Sequence, residues 1–208
     1  MTRPRAECGA RRVPPALPVA LLAVAALVAV GGCGASEGRW AREAMAERAA
    51  AAGAARGFNS ADVMFLQMMV VHNGQGVELA RLARGREVRE EVGTLAAAIA
   101  VTQEAETAAM AGRLRDWGQP PTAPPDEHAA HGGMPETAAR EIASVADAAP
   151  ADFERTFLNM MIAHQDDAAQ LARAEAIAGL HPEIRELAGR IDASRTAQVE
   201  RMLELLGG

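Results

Sequence analysis

The chain has 208 residues, a formal net charge of −6 and 50% hydrophobic residues, but only 3% aromatic ones. An acidic balance argues against nucleic acid, which recruits basic surface, and suits cations better. With four Phe and two Trp, a core must be filled mainly by Leu, Val, Ile, Met and Ala, and the abundance of Ala favours helix.

Residues 1–32 read as a lipoprotein signal peptide. Arg3, Arg5, Arg11 and Arg12 form a basic start and Ala16–Val30 an apolar run of signal-peptide length. The run ends Val30-Gly31-Gly32-Cys33, which resembles a bacterial lipobox, and this makes Cys33 the expected lipidation site. Cleavage there removes four Arg with Glu7 and takes the formal charge from −6 to −9. Cys8 leaves with the signal and Cys33 carries lipid, so no thiol remains for metal or disulfide chemistry. The expected location is the outer face of the bacterial cytoplasmic membrane or the periplasmic side, with the membrane as a partner through Cys33. Residues 33–58 read as a tether.

The domain expected over 59–208 is helical throughout. Asn59 or Ser60 caps a helix running to about Ala83, with Phe65, Met68, Met69, His72, Gly76, Leu79, Ala80 and Ala83 on one face at helical period. Gly85 breaks it. A second helix runs from about Glu90 to Trp117, turning Val92, Leu95, Ile99, Met110 and Leu114 inward, and Gly118 with Pro120-Pro121 stops it. Residues 119–150 form a Pro/Gly-rich linker with a short helix near Glu136–Ala148. Asp152 is expected to cap a third long helix to about Ala178, and Pro182 opens a fourth that ends at Leu206.

Phe65–Arg81 and Phe157–Arg173 are one segment written twice, 92 residues apart and identical at eight of seventeen positions. The offset continues without a gap, pairing Glu91 with Glu183, Ile99 with Ile191 and Met110 with Met202. Two copies of a helical hairpin follow, repeat one over 59–118 and repeat two over 151–208. One hairpin cannot bury its apolar stripe alone, so the expected fold is an all-α four-helix bundle built from two tandem hairpin repeats.

Both copies keep Met-Met-x-x-His. This spacing puts Met68 and Met69 one turn before His72, and Met160 and Met161 one turn before His164. Thioether with imidazole and without thiolate suits Cu(I) or Ag(I) better than zinc, so these six residues are the candidate metal ligands and copper(I) the candidate ion. Asp167, three residues after His164, is a candidate acceptor for that ring, with Gln75 in the equivalent place of the first copy. Glu78, Glu106 and Asp167 are carboxylates that could collect near the histidines. His128-x-x-His131-x-x-Met134 in the linker is a weaker donor set. The opposing reading is equally physical: methionine at helical spacing fills gaps in a core, and a histidine on an apolar face is commonly a hydrogen-bonded core residue.

The pattern Asp62-x-x-Phe65, then Met69-x-x-His72, with Gln103-x-x-Glu106-x-x-x-Met110 later, resembles the domain of unknown function 305 family over roughly Asn59 to Leu206. The resemblance implies a ferritin-like four-helix bundle, exported, often found among copper-handling proteins, with His and Met residues proposed to hold copper. The family pattern carries a His-His pair. Here the second histidine is Asn73 in one copy and Gln165 in the other, Glu154 stands opposite Asp62, and Arg195 and Gln198 stand opposite Gln103 and Glu106. Carboxamides hydrogen-bond well but ligate soft metals poorly, so the site is either tuned to a softer, reduced ion or decayed into a polar core.

Two functions remain open. One is a lipid-anchored metal-binding protein that sequesters or hands on copper(I). The other is a non-enzymatic structural or interaction bundle with a degenerate metal site. No Glu-x-x-His pair of the di-iron bundle enzymes occurs in the expected helices, nor any G-x-S-x-G, Walker-type loop or H-E-x-x-H, so catalysis has no motif behind it. A homodimer is left open.

Overall fold

The four long segments with a helical apolar period are all helices, and no strand occurs among the described residues. The structure is a computed structural model that describes residues 57–123 and 137–208, with the single positions 44, 45, 48 and 55. In chain order the helices are α1 (Ser60–Arg81), α2 (Glu90–Asp116), α3 (Ala139–Ala146), α4 (Pro150–Ala178) and α5 (Pro182–Gly207). Helix α1 packs on α2, α4 packs on α5, α1 faces α4, and short α3 lies against α4 and α1. No helix among the described residues is long and apolar enough to cross a membrane.

Local chemistry sets the boundaries. Asn59 caps α1 through a reciprocal box: its side chain accepts from the Asp62 N–H at 3.0 Å, and the Asp62 carboxylate accepts from the Asn59 N–H at 2.7 Å. Gly85 sits at φ 78° and Gly118 at φ 66°, left-handed conformations that let the chain leave α1 and α2 without a Cβ clash. Helix α4 departs from expectation. Asp152 is not its cap; the helix starts at Pro150, with Ala149 as N-cap and no side-chain cap bond. A proline tolerates the first helical position because its missing N–H would be unpaired there anyway, and this extends the helix past Asp152.

Two further contacts tie the helix pairs together. The Asp62 carboxylate of α1 accepts from the backbone N–H groups of Leu180 and His181, at 3.2 and 2.9 Å, where α5 begins. The Glu154 carboxylate of α4 accepts from the Arg89 N–H at 2.7 Å and from its Nε at 2.7 Å, where α2 begins. Asp62 and Glu154 are 92 residues apart in the chain, and so are Arg89 and His181. Each carboxylate thus satisfies N–H groups at a helix start belonging to the other pair.

The buried apolar residues form two clusters. One contains Leu79, Val92, Ile99, Phe153, Phe157, Met161 and Met202. The other contains Phe65, Leu66, Met69, Met110, Ala168, Ala172 and Ile191. Every long helix crosses from one cluster to the other, and it does so through polar residues: His72 and Asn73 on α1, Gln103 and Glu106 on α2, His164 and Gln165 on α4, Arg195 and Gln198 on α5. The candidate site is this polar layer.

Candidate metal centre

His72 and His164 come from facing helices and meet. Their rings stack with centroids 3.9 Å apart at 27°, and each residue is only 1% exposed. The approach depends on a residue with no side chain. A Cβ at Gly76, one turn beyond His72, would lie 2.1 Å from Gln103 Oε1 and 2.4 Å from His164 Nε2.

Burial governs the protonation of the pair. Desolvation pushes the His72 pKa down from 6.5 to about 4, with the Arg195 guanidinium adding to it. His164 is pushed down to about 2 by burial first, then by His72 and Arg195. Both rings are therefore neutral at neutral pH, the state in which imidazole ligates a metal. Both ring nitrogens of His72 and the Nε2 of His164 are buried without a hydrogen-bond partner. The His164 Nδ1 lies 2.7 Å from the Thr137 hydroxyl, which orients that ring. Thr137 in turn donates its N–H to Gln75 Oε1 at 3.3 Å. The orienting partner is thus Thr137, ahead of α3, and not Asp167. Gln75 acts through Thr137, supporting the His164 ring and not that of its own copy. Asp167 is half-buried, its carboxyl pushed up by burial and by the nearby Asp166 and Glu141 charges.

Around the rings runs a hydrogen-bonded belt. Gln103 donates to Gln165 at 3.0 Å, and Gln165 donates to Gln198. Asn73 donates to Glu106 Oε2 at 3.0 Å, and the same oxygen accepts from Arg195 Nη2 in an ion pair. Asn73–Glu106 and Gln165–Gln198 occupy positions that correspond at the 92-residue offset. Arg195 is fully buried, and its Nε and Nη1 have no partner. Glu78 is exposed and takes no part; of the three carboxylates considered, Glu106 alone joins the belt.

The methionines are spread more widely than their spacing suggests. Met69 is buried in the cluster on one side of the polar layer and Met161 in the cluster on the other. Met68 lines a small apolar cavity of about 70 Å³ between α1 and α4, with Met64 and Glu175. Met160 is half-buried on the outer side of α4, beside Arg155, Thr156 and Asn159. Among the described residues no group of three or more His, Cys, Asp or Glu is placed to hold a metal ion. Among the described residues the two imidazoles are thus without a third His, Cys, Asp or Glu donor. Cys33 and the His128, His131 and Met134 set lie outside the described residues.

Sequence reasoning passed over Thr137 and gave Gln103 and Arg195 no place in a core. A signal for the last two existed, since Ile99–Gln103–Met110 and Ile191–Arg195–Met202 put both on the inward stripe of their helices. Thr137 is distant in sequence and carries no such signal.

The description "Domain of unknown function (DUF305)" belongs to the family model that matches residues 62–206. A DUF305 protein from Streptomyces coelicolor presumed to be secreted is 28% identical, with a TM-score of 0.66 over 71% of this chain and 93% of its own. A DUF305 fragment from Deinococcus radiodurans is 28% identical, with a TM-score of 0.62 over 72% of this chain and 97% of its own. CopM in its Cu(II)-bound form is 25% identical, with a TM-score of 0.59 over 70% of this chain and 95% of that one. CopM in its Cu(I)-bound form is 24% identical, with a TM-score of 0.57 over 69% and 94%. No curated protein matches the chain in sequence.

Proposed function

The chain belongs to the DUF305 family, and from that premise we propose that it handles copper, taking up Cu(I) as cargo at the paired histidines and sequestering it or passing it on. One observation carries this reading: two neutral imidazoles stacked in a closed core, with three ring nitrogens lacking any protein partner. Unpaired polar atoms are rare in a packed interior and cost roughly 1–3 kcal/mol each, so a ligand that engages them is favoured. Neutral nitrogen donors flanked by thioethers match a soft, singly charged ion better than a hard one. Met69 and Met161, each one turn before its histidine, are the thioethers nearest in register to the pair. Met68, in a small cavity, and Met160, on the outer side of α4, are the remaining candidate donors. The neighbour CopM has a solved form that carries Cu(II), which supports copper as the metal, while the preference for Cu(I) rests on the donor chemistry.

In this reading the long helices make a ferritin-like four-helix bundle of two hairpin copies, 59–118 and 151–208, joined by the 119–150 linker. The reciprocal Asp62 and Glu154 contacts support it. Residues 1–32 direct export, Cys33 carries the lipid anchor, and 33–58 tether the bundle to the membrane.

Competition titration of the purified chain against a Cu(I) chelator tests the assignment. The parent withholds Cu(I) from the chelator, and His72→Ala/His164→Ala loses at least about 100-fold in affinity, as expected when metal donors are removed. An unchanged affinity in a double variant that keeps its helical spectrum overturns the histidine site.

A second reading has its own support. The Arg195–Glu106 ion pair and the Gln103–Gln165–Gln198 chain tie the layer to itself across the helices, as a structural polar core would. That reading expects no Cu(I) binding in the parent and a lower melting temperature in the double variant.

A further inference from the structure

We infer that the small cavity between α1 and α4 is a second soft-metal site, where Met64, Met68 and Glu175 take up Cu(I) or Ag(I) on the way to the histidine pair. The inference rests on the copper reading of the histidines and adds to it a point of entry.

The cavity of about 70 Å³ brings two thioethers and one carboxyl around a single space. Met64 is half-buried and Met68 buried, while Ala61, Ala174 and Ala178 edge the outer side with little bulk to close it. On α1 the residues Met64, Met68 and His72 follow at intervals of four, which makes one stripe with steps of about 6 Å along the axis. The stripe runs from the first turns of α1 to the stacked imidazoles. A soft ion can therefore pass from thioether to thioether to imidazole along one face of one helix.

Glu175 is the observation that points to a ligand. It is 2% exposed, and neither carboxyl oxygen has a hydrogen-bond partner. Charged groups around the α4–α5 turn are committed elsewhere. Asp62 accepts from the N–H groups of Asn59, Leu180 and His181, and Arg185 Nε donates to the Ala176 carbonyl. The Glu175 carboxyl packs against Gly179, where a Cβ would lie 2.0 Å from Oε1. The fold does not require a carboxyl at this register, since the residue 92 positions earlier is Ala83, also buried. Met64 corresponds in the same way to Thr156, whose hydroxyl donates to the Asp152 carbonyl. The second copy has no equivalent of this donor set.

The donors favour one class of ion. Thioethers select soft cations such as Cu(I) and Ag(I). Metal binding displaces the carboxyl's proton to water, so a carboxylate with a singly charged ion leaves the cavity neutral. A doubly charged ion leaves an uncompensated charge in apolar surroundings. It also holds several waters, at roughly 30 Å³ each, and these do not fit.

The test uses Ag(I), which shares the charge and softness of Cu(I) and is not oxidised in air. It is titrated into the purified chain carrying methyl-labelled methionine, in the parent, Met64→Leu, Glu175→Gln and His72→Ala/His164→Ala. Leucine matches methionine in volume and glutamine matches glutamate in shape, so the fold is kept. The parent is expected to bind one ion at the cavity besides that at the histidines, and the ε-methyl signals of Met64 and Met68 move with it. Met64→Leu and Glu175→Gln each weaken the cavity ion at least about tenfold. The histidine variant keeps the Met64 and Met68 shifts. Signals that stay still while Ag(I) binds, or binding indifferent to both Met64→Leu and Glu175→Gln, overturn the inference and leave the cavity to a buried water. If the signals stay still while the histidine variant abolishes binding, the cavity site alone fails. If the histidine variant loses no ion while Met64→Leu does, the histidine assignment fails and the cavity site stands.

Discussion

Gly76 shows how much of the site hangs on one missing carbon. The alternatives to glycine there must share space with Gln103 Oε1 at 2.1 Å and His164 Nε2 at 2.4 Å. The corresponding residue of the second copy is Ala168, fully buried with its Cβ in place, so the two sides of the layer are packed unequally. Gly76→Ala is expected to push the His164 ring or the Gln103 carboxamide aside, destabilising the fold by about 1–3 kcal/mol despite alanine's better helix propensity. Urea denaturation measures the loss, and Cu(I) competition on the same variant should fall with it. A gain in stability without loss of binding would show that the rings have room to move. Arg195 makes the complementary point: a fully buried guanidinium, paired with Glu106, opposes protonation of both histidines.

Helix starts are where the elements are joined. Asp62 is fully buried and accepts from the Asn59, Leu180 and His181 N–H groups, whereas Glu154 is half-buried and accepts from Arg89 alone. Removing a buried acceptor strands its donors, at about 1–3 kcal/mol for each one left unpaired. Asp62→Ala is therefore expected to cost about 3 kcal/mol or more, and Glu154→Ala about 1 kcal/mol, because water reaches the groups that Glu154 leaves behind. Thermal melts of the two variants check the order, and equal losses would contradict it. The helices were legible from the sequence to within two or three residues, since apolar period, glycine and proline act locally. Cap identity was less so: Asp152 has the right chemistry for a cap, yet Pro150 starts the helix before it. Asp62 could be read as a first-turn acid, but the N–H groups it serves at Leu180 and His181 lie over a hundred residues away.

At the scale of the molecule, two buried groups of opposite character shape stability against pH. His72 and His164 take up protons at about pH 4 and about pH 2 when folded, against 6.5 for a histidine free in water. The unfolded chain binds protons first, so stability is complete above pH 6.5 and is lost as pH falls towards about 4. Glu175 behaves inversely. Burial first, then the nearby Asp62 carboxylate, push its carboxyl up from 4.5 to about 8, against the pull of Arg185. The folded chain keeps a proton that the unfolded chain releases, so this contribution is present below pH 4.5 and lost as pH rises towards about 8. Glu175→Gln keeps the shape while abolishing the titration. Denaturation at about pH 7 and about pH 8.5, above the range in which the histidines contribute, should show the parent losing stability on the alkaline side and the variant staying flat. A parallel decline in both would place the alkaline loss elsewhere.

Sequence alone determined the helices, the repeated segment and the inward direction of His72 and His164, because helical period and chain spacing are properties of a local stretch. Family membership was legible for the same reason, through Asp62, Phe65, Met69, His72 and the Gln103–Met110 element. What only the tertiary structure decided is which side chains share a place. It stacked the two histidines, divided Met69 and Met161 between separate apolar clusters, gave His164 to Thr137 and not to Asp167, and put the Arg195 guanidinium in the same layer. Those outcomes depend on how far one helix sits from another. That distance is fixed by small residues such as Gly76 and Ala168 on facing surfaces, and no single helix encodes it.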